Sequence, residues 1–167
     1  MNKSDVQIPY GLAAELGSLL AQRGHRVAVA ESCTGGWICQ CVTTIPGSSA
    51  WFDRGFVTYS NEAKQQMLGV PEAVLQSDGA VSDATVRAMV AGVLRHSPAD
   101  CAIAVSGIAG PAGAVPGKPV GTVWLAWQRR GEEVVSRCEC FAGDREAVRY
   151  QAVITGLQGL LALYAHD

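Results

Sequence analysis

Two short segments, RVAVAE at residues 26–31 and DCAIAVS at residues 100–106, restrict the fold more than any other feature of the sequence. Both are rich in small and β-branched residues, and apolar side chains occupy both alternating faces. A strand of that kind is stable only when it is covered on both sides, as central strands are in a largely parallel sheet flanked by helices. Residues 52–59 and 122–129 read as further strands. Residues 133–141 alternate polar and apolar, as an edge strand does, and form a hairpin with 122–129 around Gly131.

Helical spacing fills the intervals. Leu12, Leu16, Leu19 and Leu20 mark a helix over 10–23, stopped by Gly24. Residues 35–43 and 62–68 predict two more, the second with Asn61 as N-cap. Ser82 caps the clearest one: Asp83 suits its first turn, Val81 can staple onto Val86, and Val86, Met89, Val90, Val93 and Leu94 form one face. A final helix starts near Asp144 and runs to the chain end, with Gly156 and Gly159 suited to close packing. Strand and helix patterns alternate along most of the chain. They predict an α/β fold, a three-layer α/β/α sandwich around a five-stranded, mostly parallel mixed sheet, with residues 1–167 as a single domain.

Composition removes several function classes. The 167 residues carry a net charge of −2 and no basic cluster beyond Arg129–Arg130, so nucleic acid is not an expected partner. No segment approaches the roughly 20 apolar residues of a membrane span. The first twenty residues, with Asp5 and Glu15, do not resemble a secretory signal, and the chain is expected to be cytoplasmic. Cysteines stand at 33, 39, 41, 101, 138 and 140. Both Cys-x-Cys pairs lack the usual zinc spacing, so neither a metal nor a cofactor is expected. Cys101 lies in an apolar run, and Cys138 and Cys140 share one strand face, expected to be the inner one.

In open α/β sheets ligands bind outside the carboxyl ends of the strands. Three predicted strands end in polar, glycine-bearing or titratable segments: Glu31-Ser32-Cys33-Thr34-Gly35-Gly36, Tyr59-Ser60-Asn61-Glu62-Ala63-Lys64 and Ser106-Gly107-Ile108-Ala109-Gly110-Pro111. Ser32 sits on a strand-to-helix turn, where a nucleophile could face backbone N–H groups. Local context alone favours the simpler role of helix cap for Ser32 or Thr34. His25, His96 and His166 fall at unhelpful places for a Ser-His-Asp triad. Lys64, at a helix start, is either a solvated surface lysine or a desolvated neutral base. Tyr59 could pass a proton between the two or plug the sheet end. Residues 107–121 hold five glycines and three prolines, able to bring backbone N–H groups close to an anion. Arg145 and Arg149 stand one turn apart and are either a phosphate clamp or a solvated helix face.

These segments, with Lys118-Pro119-Val120-Gly121-Thr122-Val123 and Gly143-Asp144-Arg145, resemble in order the family of the CinA carboxy-terminal domain, over about residues 8 to 165. The resemblance implies nicotinamide-nucleotide amidohydrolase activity, in which nicotinamide mononucleotide and water give nicotinate mononucleotide and ammonia in pyridine nucleotide recycling. It implies a serine nucleophile assisted by lysine and tyrosine, carried here by Ser32, Lys64 and Tyr59. Cys33, Thr34, Gly35, Ser106, Gly107, Gly110, Arg145 and Arg149 are then expected around a small nucleotide substrate. It also implies a homo-oligomer, with a dimer favoured. Two alternatives remain at this point: a non-catalytic nucleotide-binding or regulatory module linked to competence or recombination, and a Ser–Lys hydrolase of another amide.

Overall fold

The computed structural model describes residues 3–165. Its five strands, β1 (Val27–Glu31), β2 (Phe52–Val57), β3 (Cys101–Gly107), β4 (Thr122–Arg129) and β5 (Val135–Cys140), form one sheet in the order β2-β1-β3-β4-β5. β1 pairs in parallel with β2 and β3, whereas β4 runs antiparallel to β3 and to β5. β4 is thus the one strand that opposes the others, and the fold is the mixed α/β sandwich expected.

Helices cover both faces. α1 (Lys3–Arg23), α2 (Trp37–Thr43) and α6 (Arg145–Ala162) pack on one side; α3 (Asn61–Leu68), α4 (Glu72–Ser77) and α5 (Asp83–Arg95) pack on the other. The two sides differ in side-chain size. Towards α1, α2 and α6 the sheet presents Val27, Val29, Ile103, Leu125 and Trp127. Towards α5 it presents Ala28, Ala30, Ala102, Ala104 and Ala126. Since alternate residues of a strand point to opposite faces, this small–large alternation lets α5 approach closely while the other layer fills with bulk. Gly156 and Gly159 do pack closely, as expected: a Cβ on Gly156 would meet Ile103, and one on Gly159 the Trp127 ring, whose Nε1 donates to the Gly156 carbonyl at 2.9 Å.

Several local expectations are corrected. Ser60 rather than Asn61 caps α3: its backbone is extended and its Oγ accepts from the Ala63 N–H at 3.0 Å. α2 begins at Trp37, because Gly35 and Gly36 sit at φ +63° and +98°, outside the helical region. α1 extends back to Lys3 through Pro9. α4 was not anticipated; it is six residues long, too short to show a period. α6 ends at Ala162, and residues 166–167 of its expected run lie outside the described residues. Cys138 and Cys140 do face the α5 side, in register with Trp124 and Thr122, but both are exposed. They stand on the edge strand, two and four residues beyond Ser136, which bonds to Asp83 and Arg87 of α5.

The β1 and β3 ends matter for function. The chain leaves β1 towards β2 and leaves β3 towards β4, so the connections diverge at the carboxyl ends of two neighbouring strands. Divergence there opens a crevice. The tight α6–sheet contact gives a first test. Gly159→Leu should lose about 1–3 kcal/mol of unfolding free energy, read from urea denaturation, because the Trp127 ring cannot move aside without leaving its hydrogen bond.

Candidate active site

Glu31 ends β1 and Ser32 follows it, the two pointing to opposite sides of the sheet. The Glu31 carboxylate is fully buried and accepts three backbone N–H groups at the start of α2: Gly36 at 3.0 Å, Ile38 at 3.1 Å and Cys39 at 2.9 Å. A helix start leaves such donors unpaired, and a carboxylate is well suited to them. Glu31 therefore anchors α2 beneath the turn that carries Ser32. Its role was not read from sequence, although an acid between an apolar strand and a glycine-led helix is a recognisable signal.

Ser32 is 8% exposed and its N–H donates to the Val105 carbonyl of β3 at 3.0 Å. Lys64 Nζ lies 3.1 Å from Ser32 Oγ, and also 2.8 Å from the Thr58 carbonyl and 3.3 Å from the Tyr59 carbonyl. Lys64 is only 1% exposed, and no carboxylate pairs with it among the described residues. Burial lowers its pKa from the ordinary lysine value, against a smaller opposing influence from Cys33. Nζ thus has three oxygens in hydrogen-bond reach, and a neutral amine that donated to the two carbonyls would turn its lone pair towards Ser32. Of the two readings open for Lys64, the solvated surface lysine is therefore excluded.

Tyr59 is 62% exposed, and its hydroxyl accepts a hydrogen bond from Arg145 at 3.1 Å. Because Lys64 reaches Ser32 directly, no phenol is needed between them. Arg145 also donates to the Gly110 carbonyl at 2.8 Å, bridging α6 to the glycine-rich loop. Arg149 is directed elsewhere. Its Nε donates to the Cys33 carbonyl at 3.0 Å and a terminal nitrogen to the Thr34 carbonyl at 2.9 Å, while its guanidinium lies 5.3 Å over the Trp37 ring.

With these partners assigned, the backbone of the turn can be accounted for group by group. From Ser32 to Cys39 the N–H groups of Ser32, Gly35, Gly36, Trp37, Ile38 and Cys39 all have acceptors. Those of Cys33 and Thr34 meet no oxygen acceptor among the described residues. They are the candidate donors for a developing oxyanion beside Ser32, the Cys33 N–H also facing its own sulfur. The Cys33 thiol is not a rival nucleophile, since burial, with the Glu31 charge adding to it, pushes its pKa up to about 12.

Two cavities meet at Arg145. The inner one, about 200 Å³, holds Ser32, Cys33, Tyr59, Lys64, Ser106 and Gly107, with Ala80, Val81 and Ala109 supplying apolar walls. Ser106 donates to the Ala80 carbonyl at 2.8 Å and so closes that wall. The outer one, about 530 Å³, is lined by Thr34, Gly35, Gly36, Trp37, Gln40, Glu146 and both arginines. Every expected site residue borders one of them except Gly110, which reaches the site through its bond to Arg145. The Ala80–Val81 wall and Trp37 were not anticipated, since nothing in their local sequence separates them from core or loop. No group of histidine, cysteine and acidic side chains among the described residues is arranged to hold a metal ion.

The model of the CinA C-terminal domain matches residues 10–164. This chain belongs to the CinA C-terminal domain family. Nicotinamide-nucleotide amidohydrolase PncC of Escherichia coli K12 is 54% identical over 149 residues, covering 89% of this chain and 90% of that protein. The PncC protein of Pseudomonas putida is 55% identical over 152 residues, covering 91% and 94%. Among solved structures, the competence/damage inducible protein CihA of Agrobacterium tumefaciens superimposes with a TM-score of 0.92 at 44% identity, over 94% of this chain and 96% of that one.

The Lys64 environment makes a stability prediction with a definite sign. With its pKa lowered in the fold, the folded state holds fewer protons than the unfolded chain at any pH between the folded value and the ordinary 10.5. Wild-type stability relative to Lys64→Met should therefore rise as pH climbs towards 10.5 and level off above it. Urea denaturation of both proteins across that range reads the difference.

Proposed function

We propose that this chain hydrolyses the carboxamide of nicotinamide mononucleotide, giving nicotinate mononucleotide and ammonia, and serves pyridine nucleotide recycling. The observation that carries the reading is the 3.1 Å approach of buried Lys64 Nζ to Ser32 Oγ, with no carboxylate paired with the amine among the described residues. The amidohydrolase name of relatives more than half identical supplies the substrate.

In this mechanism neutral Lys64 takes the Ser32 proton as Oγ bonds to the carboxamide carbon. The carbonyl electron pair moves to oxygen, where the Cys33 and Thr34 N–H groups stabilise it. Such stabilisation is usually the largest single contribution to acyl transfer. The carbon–nitrogen bond then breaks, the departing nitrogen takes the proton from the Lys64 ammonium, and ammonia leaves. Water attacks the acyl-enzyme and gives a proton to Lys64. Collapse of the second tetrahedral intermediate returns that proton to Ser32 and releases the acid. The aromatic ring of the substrate suits the apolar walls of the inner cavity, and its phosphate suits the arginine side of the outer one. Arg145, shared by both cavities, is the phosphate ligand in this reading; Tyr59 holds Arg145 rather than relaying a proton. A binding module without turnover would leave the buried amine and its serine neighbour unexplained.

Purified protein incubated with nicotinamide mononucleotide should release ammonia and nicotinate mononucleotide in equal amounts, with nicotinamide alone a poor substrate. Absence of both products would overturn the reading. Ser32→Ala and Lys64→Met should each lower kcat by at least about 10³-fold, the scale of losing a nucleophile or its base. Tyr59→Phe should lower kcat less than about tenfold, and Arg145→Ala should act mainly by raising KM. The wild-type kcat/KM should rise with pH along a limb whose midpoint lies below 10.5, as Lys64 loses its proton.

A further inference from the structure

We propose that Arg149 is a positioning residue that orients the oxyanion donors, rather than a ligand of the substrate phosphate. The inference rests on Ser32 being the nucleophile, and its starting point is how the guanidinium is spent. Two of its nitrogens donate to two successive carbonyls of the nucleophile turn, Cys33 at 3.0 Å and Thr34 at 2.9 Å, and its flat face lies over Trp37.

A trans peptide is planar, with its C=O and N–H pointing in opposite directions. The one cis bond among the described residues is Gly110–Pro111, so the peptides of the turn are trans. By drawing the Cys33 carbonyl towards α6, Arg149 turns the Thr34 N–H the other way. The Cys33 N–H is set by the same logic: the Ser32 carbonyl accepts from the Gly35 N–H at 3.1 Å, which directs the Cys33 N–H away from that bond. These are the two N–H groups that meet no oxygen acceptor.

The start of α2 cannot serve instead. Glu31 already occupies its donors at Gly36, Ile38 and Cys39. The turn is thus held from two sides by opposite charges, the Glu31 carboxylate on its N–H groups and the Arg149 guanidinium on its carbonyls. Lysine cannot replace Arg149, because one ammonium lacks the planar fork that meets two successive carbonyls while lying over an indole.

Arg149→Lys and Arg149→Gln test this with two reactants. One is nicotinamide mononucleotide; the other is a small fluorophosphonate, which labels an activated serine, develops negative charge on oxygen and carries no nucleotide phosphate. In both variants kcat on the mononucleotide and the rate of Ser32 labelling, read by intact-mass spectrometry, should fall together by about a hundredfold, the scale of a lost or misplaced oxyanion donor. KM should stay within about threefold. Unchanged labelling with a raised KM would make Arg149 a phosphate ligand and overturn the proposal, as would unchanged values of both rates. Thermal denaturation identifies a variant that fails to fold; the other variant then decides. A wild type that labels at Ser32 but leaves the mononucleotide intact would sink the amidase reading alone, because the labelling rates still test Arg149.

Discussion

The buried carboxylate of Glu31 ties the last residue of the central strand to the first turn of the next helix, and much of the site depends on that tie. Without it the α2 donors would need other partners, and Gly35 and Gly36, both at positive φ, would lose what fixes their path. With it, the five-residue turn between β1 and α2 has one shape. Ser32 is held by β3 through Val105, and the carbonyls that follow are held by α6 through Arg149. Elements distant in the chain thus converge on a segment too short to hold itself.

Lys64 poses the opposite problem. Its amine lies where an ammonium would be costly, with two carbonyls and a hydroxyl as neighbours and no carboxylate paired with it among the described residues. The carbonyls do not compensate a full charge, but they do orient a neutral amine. Glu31 adjoins Ser32 in sequence, yet strand alternation sends it to the other side of the sheet, where α2 takes up its oxygens. That separation keeps the lysine unpaired. The same alternation places the acid in the α2 layer and the serine in the α3 layer, from one pair of adjacent residues.

The two arginines show why spacing is an incomplete guide. One turn apart on α6, they are open on spacing alone to two readings, a phosphate clamp or a solvated helix face. Arg145 reaches the cavity wall between Tyr59 and Gly110, whereas Arg149 reaches under the turn that carries Ser32. Four residues of helix set a shared direction, but the acceptor each guanidinium finds depends on loops from other parts of the chain.

The sequence by itself determined the sheet, since segments apolar on both faces had to be covered on both; that the alanines at 28, 30, 102, 104 and 126 share one face followed from the strand pairing. It also placed Ser32, Tyr59 and Lys64 at strand ends and helix starts, because turn and cap chemistry is local. What it left open was burial and pairing. Whether Ser32 capped a helix or faced Lys64, whether Lys64 was solvated, and which N–H groups met no oxygen acceptor are all properties of neighbours brought from elsewhere. Desolvation and the direction of a hydrogen bond exist only once those neighbours are in place, and only the tertiary structure decided them.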